Sequence, residues 1–360
     1  MKNKLLSIFF VTIIFGMMIL SIIIPDKTIS ISERRKLASF PSINLETIVD
    51  GSFFSNLNNY LVEQFPFREF LRNIKGFVSS NFFFKKDEDG VFIENGAIYQ
   101  LSPEINYKSV YNFTNLLNKV KTNYLESSNI YYSVIPDKNY FLDNIPKLDY
   151  NALENTLKSE LSNMNYINLF DVLSLDSYYK TDIHWKQEKL AKVVDKIESS
   201  MNLEKSTFPT DSKKYDKFYG TLYGRIANNI KPDEIIYLTN DYINNATVFD
   251  YESNKYINVY EEENLSHIDP YDIYLSGARA LLIIENTKNQ TGKELVIFRD
   301  SFASSITPLL ISNYSKITMI DLRYINSNLL DKIDEINLNG SKDVLFLYSV
   351  PVINNSFTLK

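Results

Sequence analysis

With two histidines, one tryptophan and no cysteine in 360 residues, the chain offers few groups for chemistry near neutral pH. One histidine, His184, stands beside Trp185 and two residues after Asp182, in the pentapeptide TDIHW. In an extended segment, residues i and i+2 point to one side, roughly 6.5–7 Å apart along the backbone. The Asp182 carboxylate then reaches the Nδ1–H of His184 and leaves Nε2 free to take a proton. That is the orienting role of the acid in a Ser-His-Asp triad. The matching nucleophile is Ser301. It follows the apolar run ELVIFRD and precedes SFASSITPLLISNY, whose pattern is helical. Ligands of open parallel sheets bind beyond the carboxyl ends of strands, where this serine falls. A helix start there offers unpaired N–H groups and a positive dipole end to a developing oxyanion.

Each feature has a structural alternative. Asp-Ser before a helix is an ordinary N-cap. Thr181 or Asp182 can cap the helix expected over 186–201, making His184 a part-buried first-turn residue. Trp185 is either a packing anchor or a wall that dries the pocket. His267, with Asp269 at i+2, is a competing base, though its polar surroundings suit a surface residue. Without cysteine there are no disulfides, thiolate nucleophiles or sulfur-bound metals. A zinc site would need both histidines plus carboxylates, at a spacing unlike a metal motif. KKDEDG (85–90) lacks the acidic first position of a calcium loop and reads as a turn. A net charge of −6 argues against a nucleic-acid partner.

These residues must be positioned by flanking elements. Residues 5–24, LLSIFFVTIIFGMMILSIII, are uncharged and follow Lys2 and Lys4. As a helix they span roughly 30 Å, the hydrocarbon thickness of a bilayer. No A-x-A-like triplet follows, so the segment reads as an uncleaved single-pass anchor with a short cytoplasmic tail (1–4). A stem (25–50) and one large extracytoplasmic domain (51–360) complete the organisation. Spacings of three and four predict helices over 51–84, 103–124, 186–201, 301–314 and 326–338. Residues 91–100 read as a hairpin, and 130–136, 281–286, 294–300, 316–324 and 343–350 as strands. Residues 203–278 give no clear pattern. Strands alternating with helices imply an α/β fold with a mostly parallel sheet flanked by helices.

TDIHWKQEKLA resembles the D-H-H-W motif of the DHHW proteins, relatives of the alginate O-acetylation proteins. ISERRKLASFP, EQFPFR, VFIENGAIY, KFYGTLYGR, VIFRDSFASSITPLL, MIDLRY and DVLFLYSV resemble further blocks of that family, in order, over most of residues 30–350. Ile183 replaces the first histidine of D-H-H-W, Lys189 stands where a glycine often follows, and Arg299 replaces the glycine of the usual G-D-S. The resemblance implies an SGNH-hydrolase-like fold and serine-dependent acyl transfer, with Ser301 as nucleophile, His184 as base and Asp182 as orienter. It also implies an oxyanion hole from the Ser301 and Gly220 N–H groups, with Trp185 and Arg323 beside the substrate. No cofactor or metal is implied.

The expected function is O-acyl, chiefly acetyl, transfer to or from a cell-surface or secreted glycan. Acyl-CoA is not supplied outside the membrane, so a transferase implies a membrane-bound partner that hands over the acyl group. The alternative is a cell-envelope, glycan-binding protein that keeps the fold without the chemistry.

Overall fold

The computed structural model describes residues 2–81, 87–88, 90–101, 104–143, 145, 147–226 and 230–360. Half of the turn expected over 85–90 falls outside them; Asp87–Glu88 is a short strand. The chain divides into two compact units, Met1–Val91 with Tyr223–Lys231, and Phe92–Leu222 with Pro232–Lys360.

The first unit is helical. Helix α1 (Lys2–Ile23) contains a 20-residue stretch, Lys4–Ile23, long and apolar enough to cross a membrane, with no share of its apolar window buried. Helices α2 (Leu45–Val49), α3 (Ser52–Glu63) and α4 (Arg68–Asn81) follow. Asn44 caps α2 through the Thr47 N–H, as expected of an Asn before a helix. The segment after α1 is tied to α3 and α4 by polar contacts. Gln64 bonds the Lys27 N–H and the Lys27 and Ala38 carbonyls, and Glu33 receives Arg68 and Arg72.

The second unit is an α/β layer structure. In chain order it contains α5 (Tyr107–Tyr124), β1 (Asn129–Ile135), α6 (Tyr150–Glu160), β2 (Asn165–Asn168), α7 (Ala191–Ser200), β3 (Thr247–Asp250), β4 (Lys255–Ile257), β5 (Leu281–Glu285), β6 (Glu294–Arg299), α8 (Ala303–Leu310), β7 (Lys316–Ile320) and β8 (Asp343–Ser349). The eight strands form one sheet in the order β4-β3-β5-β7-β6-β8-β1-β2. From β7 to β2 all neighbours are parallel. The β4-β3-β5-β7 side is antiparallel, so the sheet is mixed. The short 286–293 connection explains the departure: β5 and β6 have no crossover helix between them and do not pair.

The central strands are apolar on both faces, as a sheet covered on two sides requires. Val296, Phe298, Val344 and Phe346 face the cluster that includes α5 and α6 residues, while Leu295, Ile297, Leu345 and Leu347 face that of α7 and α8. Four helix expectations change. The 51–84 stretch is two helices, α3 and α4, parted by residues 64–67. Residues 326–338 form only a 3-10 turn at Ser327–Lys332. The helix after Ser301 begins at Ala303 and gives way to a 3-10 turn at Ile311–Asn313. The expected 186–201 helix is a 3-10 turn at Gln187–Lys189 followed by α7. The polar 203–278 stretch holds β3, β4 and an antiparallel ribbon of Asp211–Phe218 with Asp233–Thr239.

Candidate active site

The parallel strands β1, β6 and β8 share a direction, so their carboxyl ends share one edge of the sheet. Ser301 lies two residues beyond β6, and Lys138 three beyond β1. Asp300 sets the turn between β6 and α8. Its Oδ1 accepts from the Phe302 N–H at 3.0 Å, and its Oδ2 from the Ser349 N–H at 2.8 Å and the Ser349 hydroxyl at 2.6 Å. The turn that carries Ser301 is thereby fastened to the end of β8.

His184 is carried by a tight loop rather than a helix start. Tyr178 and Trp185 form an antiparallel bridge, and the Tyr179 N–H donates to the His184 carbonyl. Asp182 folds back in an Asx turn, Oδ1 accepting the His184 N–H at 2.9 Å. The extended geometry expected over 182–184 is therefore a turn. It brings the two side chains together all the same: His184 Nδ1 is 2.5 Å from Asp182 Oδ1, and His184 Nε2 is 2.8 Å from Ser301 Oγ. Asp182 caps no helix, since α7 starts only at Ala191. All three side chains of the row belong to one unit; Asp182 is fully buried, His184 buried and Ser301 part-exposed.

The loop is held from several sides. Thr181 gives its N–H and hydroxyl to Asp233 Oδ2, at 2.7 and 2.6 Å. The Thr221 N–H donates to Asp182 Oδ2 at 2.6 Å, which fixes the second carboxylate oxygen. The Tyr271 ring stacks on the imidazole at 4.0 Å between centroids and 12° between planes. Burial raises the Tyr271 phenol well above its ordinary pKa, and it donates to Ser305 Oγ as a neutral hydroxyl. Lys138 is buried, and its ammonium donates to the carbonyls of Tyr179, Lys180 and Asp182. Burial lowers its pKa to about 8, against the opposing pull of Asp182 and Asp233.

The remaining expected residues fall elsewhere. Trp185 does not wall a pocket: it is fully buried, its Nε1–H shared by the Phe302 carbonyl and Ser305 Oγ. The Gly220 N–H does not face the serine, because Thr181 Oγ1 takes it at 3.0 Å. The Ser301 N–H has no hydrogen-bond acceptor among the described residues. Arg323 clasps Asp321 through Nε and Nη2, and although burial opposes its charge, that carboxylate holds its pKa above the ordinary range. Arg299 is accommodated in the core, donating to the Gly277 and Arg279 carbonyls and Ser304 Oγ. His267 is exposed and meets Asn264.

A cleft of about 290 Å³ opens beside Ile183 and Phe302, the chain neighbours of His184 and Ser301. Gln100, Asn139, Asn354 and Asn355 supply amides to its wall, and Leu148, Leu222 and Val350 an apolar side. Sequence reasoning missed Lys138, Asp233, Thr221 and Tyr271. Only Lys138 carried a signal, a cation two residues after the proline that ends an apolar run, in SVIPDK.

Neither a protein-family model nor a curated protein matches the sequence. Among solved structures, a DHHW family protein from Eubacterium siraeum superposes with a TM-score of 0.60 at 19% identity, over 74% of this chain and 92% of that one. The chain has the fold of a DHHW family protein. PatB1 of Bacillus cereus superposes with a TM-score of 0.58 at 16% identity, over 73% of this chain and 96% of its own. A second PatB1 structure, carrying a sulfonyl adduct, gives 0.56 at 18% identity, over 73% and 97%.

Proposed function

We propose that this DHHW-fold chain is a membrane-anchored, extracytoplasmic enzyme that moves an O-acyl group, chiefly acetyl, to or from a glycan through Ser301, His184 and Asp182. The observation that carries the reading is the continuous row Asp182 Oδ1, His184 Nδ1, His184 Nε2 and Ser301 Oγ, with contacts of 2.5 and 2.8 Å. Helix α1 serves as the anchor. The order of residues in the chain, acid and base before the serine, follows the family resemblance described above.

In the first half-reaction Ser301 Oγ attacks the ester carbonyl while His184 Nε2 takes its proton. Asp182 holds Nδ1–H and stabilises the imidazolium. The Ser301 N–H meets the oxyanion. Collapse breaks the ester C–O bond, the leaving alkoxide takes the proton from His184, and an acyl-serine remains. In the second half, a sugar hydroxyl or water gives its proton to His184 Nε2 and attacks the acyl-serine carbonyl; collapse breaks the acyl C–Oγ bond, and His184 returns the proton to Ser301 Oγ. The amide-lined cleft suits sugar hydroxyls, and its apolar side suits a ring face. Transfer to sugar requires an acyl donor outside the membrane, for which we infer a membrane-bound partner protein. Trp185 and Gly220 serve the site by packing, and Arg323 by holding Asp321.

The test combines turnover of an aryl acetate with labelling by a sulfonyl fluoride, read by intact mass. We expect turnover and a single adduct on Ser301, both lost in Ser301→Ala, and turnover lost in His184→Ala with the fold retained. Equal turnover in wild type and Ser301→Ala overturns the reading. No turnover and no adduct in the wild type favours the non-catalytic, glycan-binding reading.

A further inference from the structure

The first unit exposes an apolar surface that its own helices do not cover. On α3 the exposed residues Phe54, Leu61 and Val62 repeat at i, i+7 and i+8. At α4, Phe67, Phe70 and Ile74 repeat at i, i+3 and i+7. Both spacings make one stripe per helix. Each of the six is 43–63% exposed, although a soluble helix would turn such a stripe inward.

The position of these helices along the chain gives the stripe a neighbour. Tyr60 on α3 donates to the Asp26 carboxylate at 2.9 Å, and Gln64 grips both the N–H and the carbonyl of Lys27. Asp26 and Lys27 lie three and four residues beyond the end of α1 at Ile23. Four residues reach at most about 14 Å when fully extended. If α1 spans a bilayer, the end of α3 is therefore held within a short step of the membrane surface. The headgroup zone adds roughly 5–7 Å beyond the hydrocarbon on each side. Amphipathic helices bind there by sinking their apolar face about 5–10 Å into the headgroup and acyl boundary. Arg35 and Glu63 pair, as do Arg68 and Glu33, and these ion pairs stiffen the same junction.

We propose that α3 and α4 rest in the membrane–water interface, with the Phe54, Leu61, Val62, Phe67, Phe70 and Ile74 side chains against lipid. The occupant of the stripe is the bilayer that α1 spans, so the inference rests on the anchor reading above. The bilayer is the apolar phase whose distance from the stripe the chain itself fixes.

The cysteine-free sequence allows a direct test on the full-length chain in phosphatidylcholine–phosphatidylglycerol vesicles. Single cysteines placed by Phe54→Cys, Phe67→Cys and Phe70→Cys carry an environment-sensitive fluorophore. Asn59→Cys, on the polar side of α3, is the solvent control, and Phe15→Cys reports the span. Lipids spin-labelled high on the acyl chain act as quencher. We expect blue-shifted emission at 54, 67 and 70, quenched several-fold more than at 59. Quenching at 15 with no more quenching at 54, 67 and 70 than at 59 overturns the proposal while leaving the anchor standing. That result would also follow if a second copy or a protein partner covered the stripe. No quenching at 15 removes the anchor and the proposal with it.

Discussion

Lys138 Nζ lies 2.9 Å from the carbonyl oxygen of Asp182, the residue whose side chain holds the imidazole. The same ammonium bonds the Tyr179 carbonyl at 2.9 Å and that of Lys180 at 3.1 Å, so three N–H donors meet three acceptors. A neutral amine has only two N–H groups and would release one carbonyl. Burial sets its pKa at about 8; Asp182, Asp233 and Asp137 oppose that depression, Lys186 adds to it, and the Tyr99 ring lies 5.2 Å away. Between that value and the ordinary lysine range, the unfolded chain holds a proton that the folded chain does not. This group therefore makes stability rise with pH across that window, by an amount on the order of 3 kcal/mol. Turnover should move the opposite way, falling above about pH 8 as the loop loses a donor. Lys138→Met should lower kcat at pH 7 and abolish the alkaline fall. A mutant profile with the wild-type alkaline limb would show that Lys138 does not set it.

Asp182→Asn tests orientation separately from anchoring. The amide oxygen can still accept the His184 N–H, but it no longer carries the charge that faces the imidazolium. The expected outcome is a loss of about 10²–10⁴ in kcat, the usual scale for general-base catalysis. Circular dichroism should be unchanged. Aryl acetate kinetics decide it: turnover within twofold of wild type excludes Asp182 as the orienter.

The legible and the hidden parts of this fold differ in a physical way. β6 and β8 are apolar on both faces, so ELVIFR and DVLFLYS announce buried strands in one dimension. His184 stood out as one of only two histidines, two residues after an aspartate, and Ser301 because it follows an apolar run that ends in Arg-Asp. Lys138 and Asp233 act on the same loop from 44 and 52 positions or so away, through backbone groups that leave no pattern in sequence. The helix expected over 326–338 has the right periodicity, yet only a 3-10 turn forms, because Leu330, Ile336 and Leu338 reach the core from an irregular segment. The sequence suggests Trp185 for the substrate side of the site and the Gly220 N–H for an oxyanion hole. Their structural surroundings are the Ser305 hydroxyl and the Thr181 hydroxyl instead.

Trp185→Phe removes one N–H and keeps most of the ring packing against Phe302. The indole N–H ties the His184 loop to the Phe302 carbonyl and the Ser305 hydroxyl, just after Ser301 in the chain. Losing a donor to buried acceptors costs about 1–3 kcal/mol. We expect a lower urea midpoint with an unchanged slope, and a fall in kcat larger than any change in KM. An unaltered urea midpoint would mean that these two bonds contribute nothing net.

Gly220→Ala strikes the loop through space alone. A Cβ on residue 220 would lie 2.3 Å from Asp182 Cβ and 2.5 Å from both Asp182 Cα and the Thr181 carbonyl oxygen. Those are a main-chain segment and the first atom of the Asp182 side chain, so neither can swing aside. The segment at 220 must retreat, and the Thr221 N–H must leave Asp182 Oδ2. Overpacking of this kind costs about 1–3 kcal/mol. The carboxylate also loses a charge-assisted bond that fixes its rotation. We expect a lower thermal midpoint together with a loss of turnover that raising the substrate concentration does not recover. Substitution of exposed Asn59 by Ala, in the other unit, should leave both unchanged. Wild-type turnover in Gly220→Ala would mean that the close approach of residue 220 to Asp182 is not needed to hold the carboxylate on His184.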